Sequence, residues 1–497
     1  MLSLLYGFTF YKKALCKISY NRINMKTILS IDIGTTNLKA GLYDELGNLV
    51  HVSSRLVQLK ETIHGEISFH PDTVLASCFD LIKEMLDRAP NEDVVLSLGS
   101  AMHTFMILDA HDRAVSECLI FSDQQAKHHV EAFCETYEAL QIFNHTGTPL
   151  HTMSWIPRIL WLKAENKLQA SDRIISFKEY LLLRWFDQRI IDVSVAASSG
   201  LLNIHTHAWH EPLLEVLGIE PSQLSRPVPI THHFTLEAHV FKRELTIVVG
   251  ASDGPLSSLG TTQNDQARTL TVGTSGAIRR FSKTPILNPK ANHFCYAFGE
   301  DHWIVGGPTN NGGNVIEWAM KQYALKTDAP YDKLAQLLKQ STQNDLIFLP
   351  YLFAERAPLW SNDAKGLMWG LTHLTTAEDQ LVAIVEGITM NLKAIANSFD
   401  TGNEPLYVSG GLSKIEAWVQ LLANIFGTDV FVDDGANAAL KGAYHVARAA
   451  LGLSPMFTNE KSLSEAHLQP QAKVVEHYLK KQQRFETLLY EFMNIAA

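Results

Sequence analysis

Twice in this chain an apolar strand runs into a Gly-Thr turn and back out as a second strand. ThrIleLeuSerIleAspIle (27–33) leads through Gly34-Thr35-Thr36-Asn37 into LeuLysAlaGlyLeuTyrAsp (38–44). ThrLeuThrVal (269–272) leads through Gly273-Thr274-Ser275-Gly276 into AlaIleArgArgPhe (277–281). A tight glycine turn exposes backbone N–H groups and threonine hydroxyls add donors, so each hairpin is a concave site suited to phosphate. Taken alone, each reads equally well as an ordinary hairpin. One in each half can grip a polyphosphate from both sides of a cleft. The echo suggests two related halves.

Composition bounds the rest. The chain has 497 residues, 46% hydrophobic and 19% charged, enough for two to four packed domains and incompatible with global disorder. Its net charge is −10, with no basic run beyond Lys12-Lys13, which argues against nucleic acid and anionic membranes as partners. Five cysteines are scattered without a C-x-x-C pair, so neither a disulfide framework nor a zinc site is indicated, and a cytoplasmic setting is expected. No apolar run approaches the ~20 residues of a membrane span. Residues 1–24 stand apart: they carry Lys12, Lys13, Lys17 and Arg22 and no acid, which masks a charge of −14 on the remainder. Met25 then opens a clean strand pattern. Residues 1–24 are expected to be an extension upstream of the natural start, with a membrane or partner tag as the alternative.

Alternation and turn residues predict a three-stranded meander over 26–54, a helix near 71–89 and strands at 94–98 and 244–253. Further helices are expected at 123–142, 154–169, 177–186, 314–325, 378–399 and 413–426, and a strand at 406–409. Mixed strands and helices make the fold class α/β. The small polar segment 260–266 is a plausible junction, dividing the chain into about 25–260 and 261–497.

Several other motifs can carry chemistry. Asp32, at the end of the first strand, can orient a Mg²⁺ ion through water. Asp253, in Gly250-Ala251-Ser252-Asp253-Gly254, ends an apolar strand where open α/β sheets place their sites, and a carboxylate there can take a proton from an attacking alcohol. It reads equally as a turn residue before Gly254-Pro255. Ser409-Gly410-Gly411-Leu412-Ser413 and Asn310-Asn311-Gly312-Gly313-Asn314 are glycine-rich helix starts that allow close approach of a ring or phosphate. Ser413/Glu416 and Asn314/Glu317 have capping-box spacing, and Gly427 is placed to end a helix. Met102-His103 follows the strand at 94–98; His103 can donate to a polar ligand or serve as a structural donor. His151, Trp155, Arg158 and Glu355-Arg356-Ala357-Pro358 read equally as ligand-facing or structural. No Walker A sequence, zinc pattern or Ser-centred elbow is present.

Taken in order, the segments 30–39, 99–109, 146–149, 250–254, 273–276, 310–318, 349–360 and 409–418 resemble the FGGY carbohydrate kinases over essentially all of 25–497. SerAlaMetHis (100–103), ThrGlyThrProLeuHisThrMetSer (146–154), SerPheLysGluTyr (176–180) and AlaSerAspGly (251–254) look most like the gluconate-phosphorylating branch. The resemblance implies two actin-like (ribonuclease-H-like) domains with the active site in the cleft between them, and ATP with Mg²⁺ as donor. It implies Asp253 as general base on the sugar hydroxyl, Asp32 beside the metal with Asp253 as a second candidate, and Met102, His103 and Met153 on the substrate. Thr35, Thr36 and Lys39 would meet the phosphates from the first domain. Gly273, Thr274, Gly313, Glu317, Gly410 and Gly411 would line the nucleotide site from the second. A homodimer is among the assemblies it allows. Departures from the family pattern are Gln125 for an Arg, Arg158 for a Lys, Lys365 for an Arg and Asn437 for a Glu. Gln125 bears on the substrate, because it is expected near the sugar pocket.

The expected reaction is phosphorylation of a small sugar acid, D-gluconate to 6-phosphogluconate, with its carboxylate met by His103, Arg158 or Arg356. Rival readings are a kinase for xylulose, glycerol or another polyol, a non-catalytic actin-like nucleotide-binding module, and a ligand-sensing regulator, for which no DNA-binding segment is evident.

Overall fold

The computed structural model describes residues 27–496 apart from 90–92, 137–138, 239, 289, 291, 324–329, 341–343, 362, 401, 434 and 459–465. The extension expected over 1–24, and the start at Met25, lie outside the described residues.

The first hairpin seeds a six-stranded sheet. Its strands are β1 (Thr27–Ile33), β2 (Asn37–Tyr43), β3 (Leu49–Leu56), β4 (Val94–Ser100), β5 (His233–Ala238) and β6 (Arg243–Val248), in the order β5-β6-β4-β1-β2-β3. β1 is antiparallel to β2 and parallel to β4, which places Asp32 between Lys39 and Gly99. β1 and β4 are nearly continuous apolar runs because parallel strands are covered on both faces.

The second hairpin seeds a seven-stranded sheet of β7 (Arg268–Val272), β8 (Gly276–Ser282), β9 (Phe294–Ala297), β10 (Trp303–Thr309), β11 (Leu406–Ser409), β12 (Val430–Val432) and β13 (Ala466–Leu468). Its order is β9-β10-β8-β7-β11-β12-β13. β7 is antiparallel to β8 and parallel to β11. The run β10-β8-β7-β11-β12 thus repeats β3-β2-β1-β4-β6, and the echo between the hairpins is an echo between whole sheets.

The helices that matter for the site are α1 (Pro71–Arg88), α2 (Phe177–Phe186), α3 (Asp253–Thr261), α4 (Gly313–Gln322), α5 (Ala377–Asn397), α6 (Glu416–Phe426) and α7 (Ala438–Ala450). α3 and α7 cross at glycines. A Cβ on Gly260 would lie 1.8 Å from the Ala438 carbonyl oxygen, and one on Gly442 would lie 2.0 Å from that of Leu256. α7 also rests on β1 and β4, where Ser97 Oγ donates to the Ala443 carbonyl over 2.8 Å and Tyr444 stacks on Tyr43 at 4.5 Å. A helix of the second half therefore docks on the sheet of the first, and the ends of β1 and β4 face the second hairpin across a cleft.

Some expected elements change. The helix expected over 123–142 is two, Lys127–Thr136 and Ala139–Thr146. The strand expected over 244–253 stops at Val248 because Gly250 turns left-handed (φ +69°) tight against Leu98, so Asp253 opens α3 rather than ending a strand. Neither capping box forms. Ser413 Oγ donates back to the Gly410 carbonyl within a 3₁₀ turn, Gly411–Lys414, and α6 starts after Ile415. Asn314 accepts from the Gly312 and Val315 N–H groups instead of pairing with Glu317. Gly427 does end α6, left-handed at φ +69°. Among the described residues, no helix is long and apolar enough to cross a membrane.

Candidate active site

A cavity of about 410 Å³ opens between the two sheets. Asp32, Thr35 and Lys39 reach it from the first hairpin, Met102 and His103 from the turn after β4, and Asp253 from the start of α3. The second half contributes Ser275, Gly276, Arg279, Tyr296, Arg356 and Asn437. Met153, 1% exposed, closes the floor.

Asp253 is aimed by backbone. Its Oδ1 accepts from Gly254 N–H at 2.8 Å and from Met102 N–H at 3.3 Å. Burial raises its pKa, while those N–H groups and Arg279 pull the other way. The segment beneath it is anchored by buried polar groups. Ser252 Oγ lies 2.6 Å from Ser194 Oγ, and Lys178 Nζ bonds the Ala251 carbonyl at 3.2 Å and Asp192 at 2.8 Å. Asp192 in turn caps the short helix Val193–Ser198. Ser176 and Glu179 form the capping box of α2, so the 176–180 motif supports the site from below.

Asp32 shares the cavity with Asp253. Burial pushes its pKa up to about 7, the Asp253 charge adds to this, and Lys39 opposes it. Its Oδ1 is buried with no protein partner. Two neighbouring carboxylates, one of them with an unsatisfied oxygen, stand beside Lys39 and Arg279.

The opposite end is cationic and aromatic. His103 is left-handed (φ +63°) and 6% exposed, and burial holds its ring neutral, with a pKa of about 3. Its Nδ1 has no protein partner. Arg356 lies over the Phe121 ring at 5.4 Å, fixed by Asn310 Oδ1 at 2.8 Å. The adjacent Glu355 turns inward and accepts from Thr309 Oγ1, Asn310 N–H and Asn311 Nδ2, so it supports the loop rather than the cavity.

A second cavity of about 620 Å³ lies on the far side of the second hairpin. Gly273, Thr274, Gly313, Glu317 and Gly411 all line it, together with Lys339, Lys414 and Tyr331. The hairpin 273–276 thus divides the two cavities, with Gly273 and Thr274 facing one and Ser275 and Gly276 the other.

Several expected residues fall elsewhere. Thr36 is exposed and lines neither cavity. Gly410 is pinned in the backbone at φ +99°, its Cβ position 2.5 Å from the Val272 carbonyl, and only its neighbour Gly411 faces the cavity. Arg158 is fully buried and donates to the His103 and Ile120 carbonyls, so it shapes the His103 turn and does not reach a ligand. Gln125 lies outside both cavities; Phe121, four residues earlier, is the one that lines the first. Trp155 is core, donating to the Thr104 carbonyl, and His151 bonds Met153 N–H beneath the cavity. Arg279 and Tyr296 were missed. The pair Arg279-Arg280 within one strand was the available signal, since alternation sends one of the two to each face.

Two sheets of the same ribonuclease-H-like topology, a cleft between them and a hairpin dividing two cavities define an actin-like two-domain fold. The family model for the N-terminal domain of the FGGY family of carbohydrate kinases matches residues 27–260, and that for the C-terminal domain matches 269–451. A gluconokinase of Bacillus licheniformis is 32% identical over 441 residues, 84% of this chain and 86% of that protein. Two solved structures from Lactobacillus acidophilus superpose with a TM-score of 0.88 at 30% identity. One is a gluconate kinase, matched over 95% of this chain and 98% of its own. The other is a ligand-bound xylulose kinase, matched over 94% and 98%. The chain belongs to the FGGY family of carbohydrate kinases. It is accordingly a phosphotransferase that moves a phosphoryl group from ATP to an alcohol group of a carbohydrate.

Proposed function

We propose that the carbohydrate is a sugar acid, D-gluconate, phosphorylated on its 6-hydroxyl, with residues 25–260 holding sugar and base and 261–497 holding the nucleotide. The observation that carries this reading is the polarity of the first cavity. Asp32 and Asp253 stand together, with Lys39 and Arg279 beside them, and Arg356 stands with neutral His103. A six-carbon acid offers a hydroxyl to the first group and a carboxylate to the second. The likeness to the B. licheniformis gluconokinase points the same way.

Asp253 takes the hydroxyl proton as the oxygen attacks the γ-phosphorus in line. The Gly254 and Met102 N–H groups hold its carboxylate in one orientation, so the acceptor oxygen is fixed before substrate arrives. Met102, His103 and Met153 shape the sugar pocket. Thr35 and Lys39 meet the phosphates from the first half, and Thr274, Gly273, Gly313, Glu317 and Gly411 receive the nucleotide from the second. The unsatisfied Oδ1 of Asp32 fits a hydrated divalent cation. Among the described residues no cluster of three metal-ligating side chains exists, and Mg²⁺ characteristically needs only one or two carboxylates plus phosphate oxygens. When bound there, Mg²⁺ would offset charge on the phosphates. Closure of the cleft about the α3–α7 crossing would exclude water from the transfer.

A second reading, a xylulose kinase, is favoured by the equal TM-score of the L. acidophilus xylulose kinase. An ADP-coupled assay with gluconate, xylulose, glycerol and ribulose decides. Gluconate turnover at least tenfold above the others is expected; inert gluconate with active xylulose overturns the proposal.

A further inference from the structure

Two guanidinium groups of the second half face the same cavity. Arg279 projects from β8, and Arg356 from the loop after the short strand Ile347–Leu349. Arg280, the next residue on the strand, points to the other side and lies 3.7 Å from Asp400. Arg279 turns the other way: its Nε is buried without a hydrogen-bond acceptor, and the acidic charge it feels is that of Asp253. Its guanidinium packs over the start of α3, with Nε 3.3 Å and an Nη 3.4 Å from where a Gly254 Cβ would stand. Arg356 is placed by Asn310 and Thr309, and the nearest acid, Glu355, is spent on Thr309, Asn310 and Asn311. The charges of Arg279 and Arg356 oppose one another, and Tyr296 lies near both. Lys39, Arg279 and Arg356 line the cavity against only Asp32 and Asp253. Two neighbouring cations on one cavity, one of them with a buried Nε lacking an acceptor, favour an anion between them.

We propose that Arg279 and Arg356 together form the seat of the substrate carboxylate, so that the acid is held by the second half while its hydroxyl meets Asp253 of the first. Recognition of the acid then spans the cleft. A carboxylate substrate draws the halves together; a neutral polyol of the same length leaves the two cations unpaired and is rejected. The inference rests on the sugar-acid reading, which assigned the carboxylate end to Arg356 and His103 without Arg279.

The test compares D-gluconate with D-glucitol, which carries CH₂OH in place of the carboxylate. In Arg279→Gln, KM for gluconate rises roughly 10- to 100-fold, the worth of one charge-assisted hydrogen bond. For glucitol, kcat/KM does not fall and rises above wild type, because one of the two unpaired cations that reject it is gone. Arg356→Gln behaves alike, and Arg279→Lys falls between. ADP affinity and the thermal midpoint report that each variant is folded; if Arg279→Gln loses both, Arg279→Lys and Arg356→Gln carry the comparison. Equal losses on gluconate and glucitol overturn the inference, assigning Arg279 to the transferred phosphoryl group while gluconate stands as substrate. A wild-type enzyme that prefers another aldonate or a uronate, with a KM dependent on Arg279, overturns gluconate and sustains the anion seat. Turnover of neutral ketoses alone overturns both.

Discussion

Asp253→Asn isolates the proton acceptor from everything else at its position. Asn keeps an oxygen where Asp253 Oδ1 accepts from Gly254 and Met102, so the start of α3 and the Met102-His103 turn should survive. What disappears is a negative charge and a base. Loss of a positioned general base costs about 10²- to 10⁴-fold, or roughly 3–5 kcal/mol of barrier. The same substitution acts on Asp32. Displacing its pKa from 3.8 to about 7 means that ionising Asp32 costs on the order of 4 kcal/mol, and the Asp253 charge is the second cause after burial. Removing that charge should lower the Asp32 pKa, so residual turnover in Asp253→Asn should keep its plateau to lower pH than wild type. The assay is ADP release across pH 5.5–9 with saturating gluconate, alongside calorimetric titration of nucleotide. Turnover within tenfold of wild type, with nucleotide binding intact, would refute the base assignment. Loss of nucleotide binding together with turnover would instead make Asp253 structural.

Other consequences can be measured separately. Because Asp32 carries a raised pKa, its ionisation destabilises the ligand-free fold increasingly as pH rises from about 4 through about 7; Asp32→Asn should therefore melt higher than wild type above pH 7, with the gain vanishing toward pH 4, as thermal scans would reveal. If Asp32 holds Mg²⁺, the Mg²⁺ concentration for half-maximal turnover should climb about tenfold per unit as pH falls below 7, and a flat dependence would remove Asp32 from the metal. Gly442→Ala should cost about 1–3 kcal/mol in urea unfolding, since its Cβ would lie 2.0 Å from the Leu256 carbonyl at the α3–α7 crossing. Gly411→Val should leave the melting temperature within a few degrees and raise KM for ATP at least tenfold, because no atom lies within 4 Å of the new Cβ and the side chain enters the second cavity.

What could be read from the sequence was written locally. The Gly-Thr hairpins, the helix stop at Gly427, the apolar run of β1 and the alternation of β2 follow from neighbours a few residues apart, and from them came the two-sheet repeat. Asp253 was expected at a strand end and opens α3 instead, because an apolar run does not reveal that Gly250 turns left-handed against Leu98. The capping boxes failed for a related reason: spacing of i to i+3 is equally satisfied by the 3₁₀ turn at 411–414, where Ser413 bonds backward to Gly410.

The Gly410-Gly411 dipeptide shows where local reading stops. Two identical residues sit side by side, yet one is needed by the backbone and the other faces a cavity. Gly410 adopts φ +99° with its Cβ position pressed 2.5 Å from Val272, so any side chain there breaks the link from β11 to α6. Gly411 has open space, and its lack of a side chain matters only because a second cavity lies in front of it. The same distinction separates Arg158 from Arg279. Each has a buried Nε without an acceptor, but Arg158 gives its other nitrogens to two carbonyls of its own half while Arg279 reaches across the cleft to the start of α3. Whether a group serves the chain or its substrate depends on what lies opposite it. In a two-domain kinase that is fixed by the register of β8 between β7 and β10 and by the docking of α7, whose Ala443 meets Ser97 346 residues away.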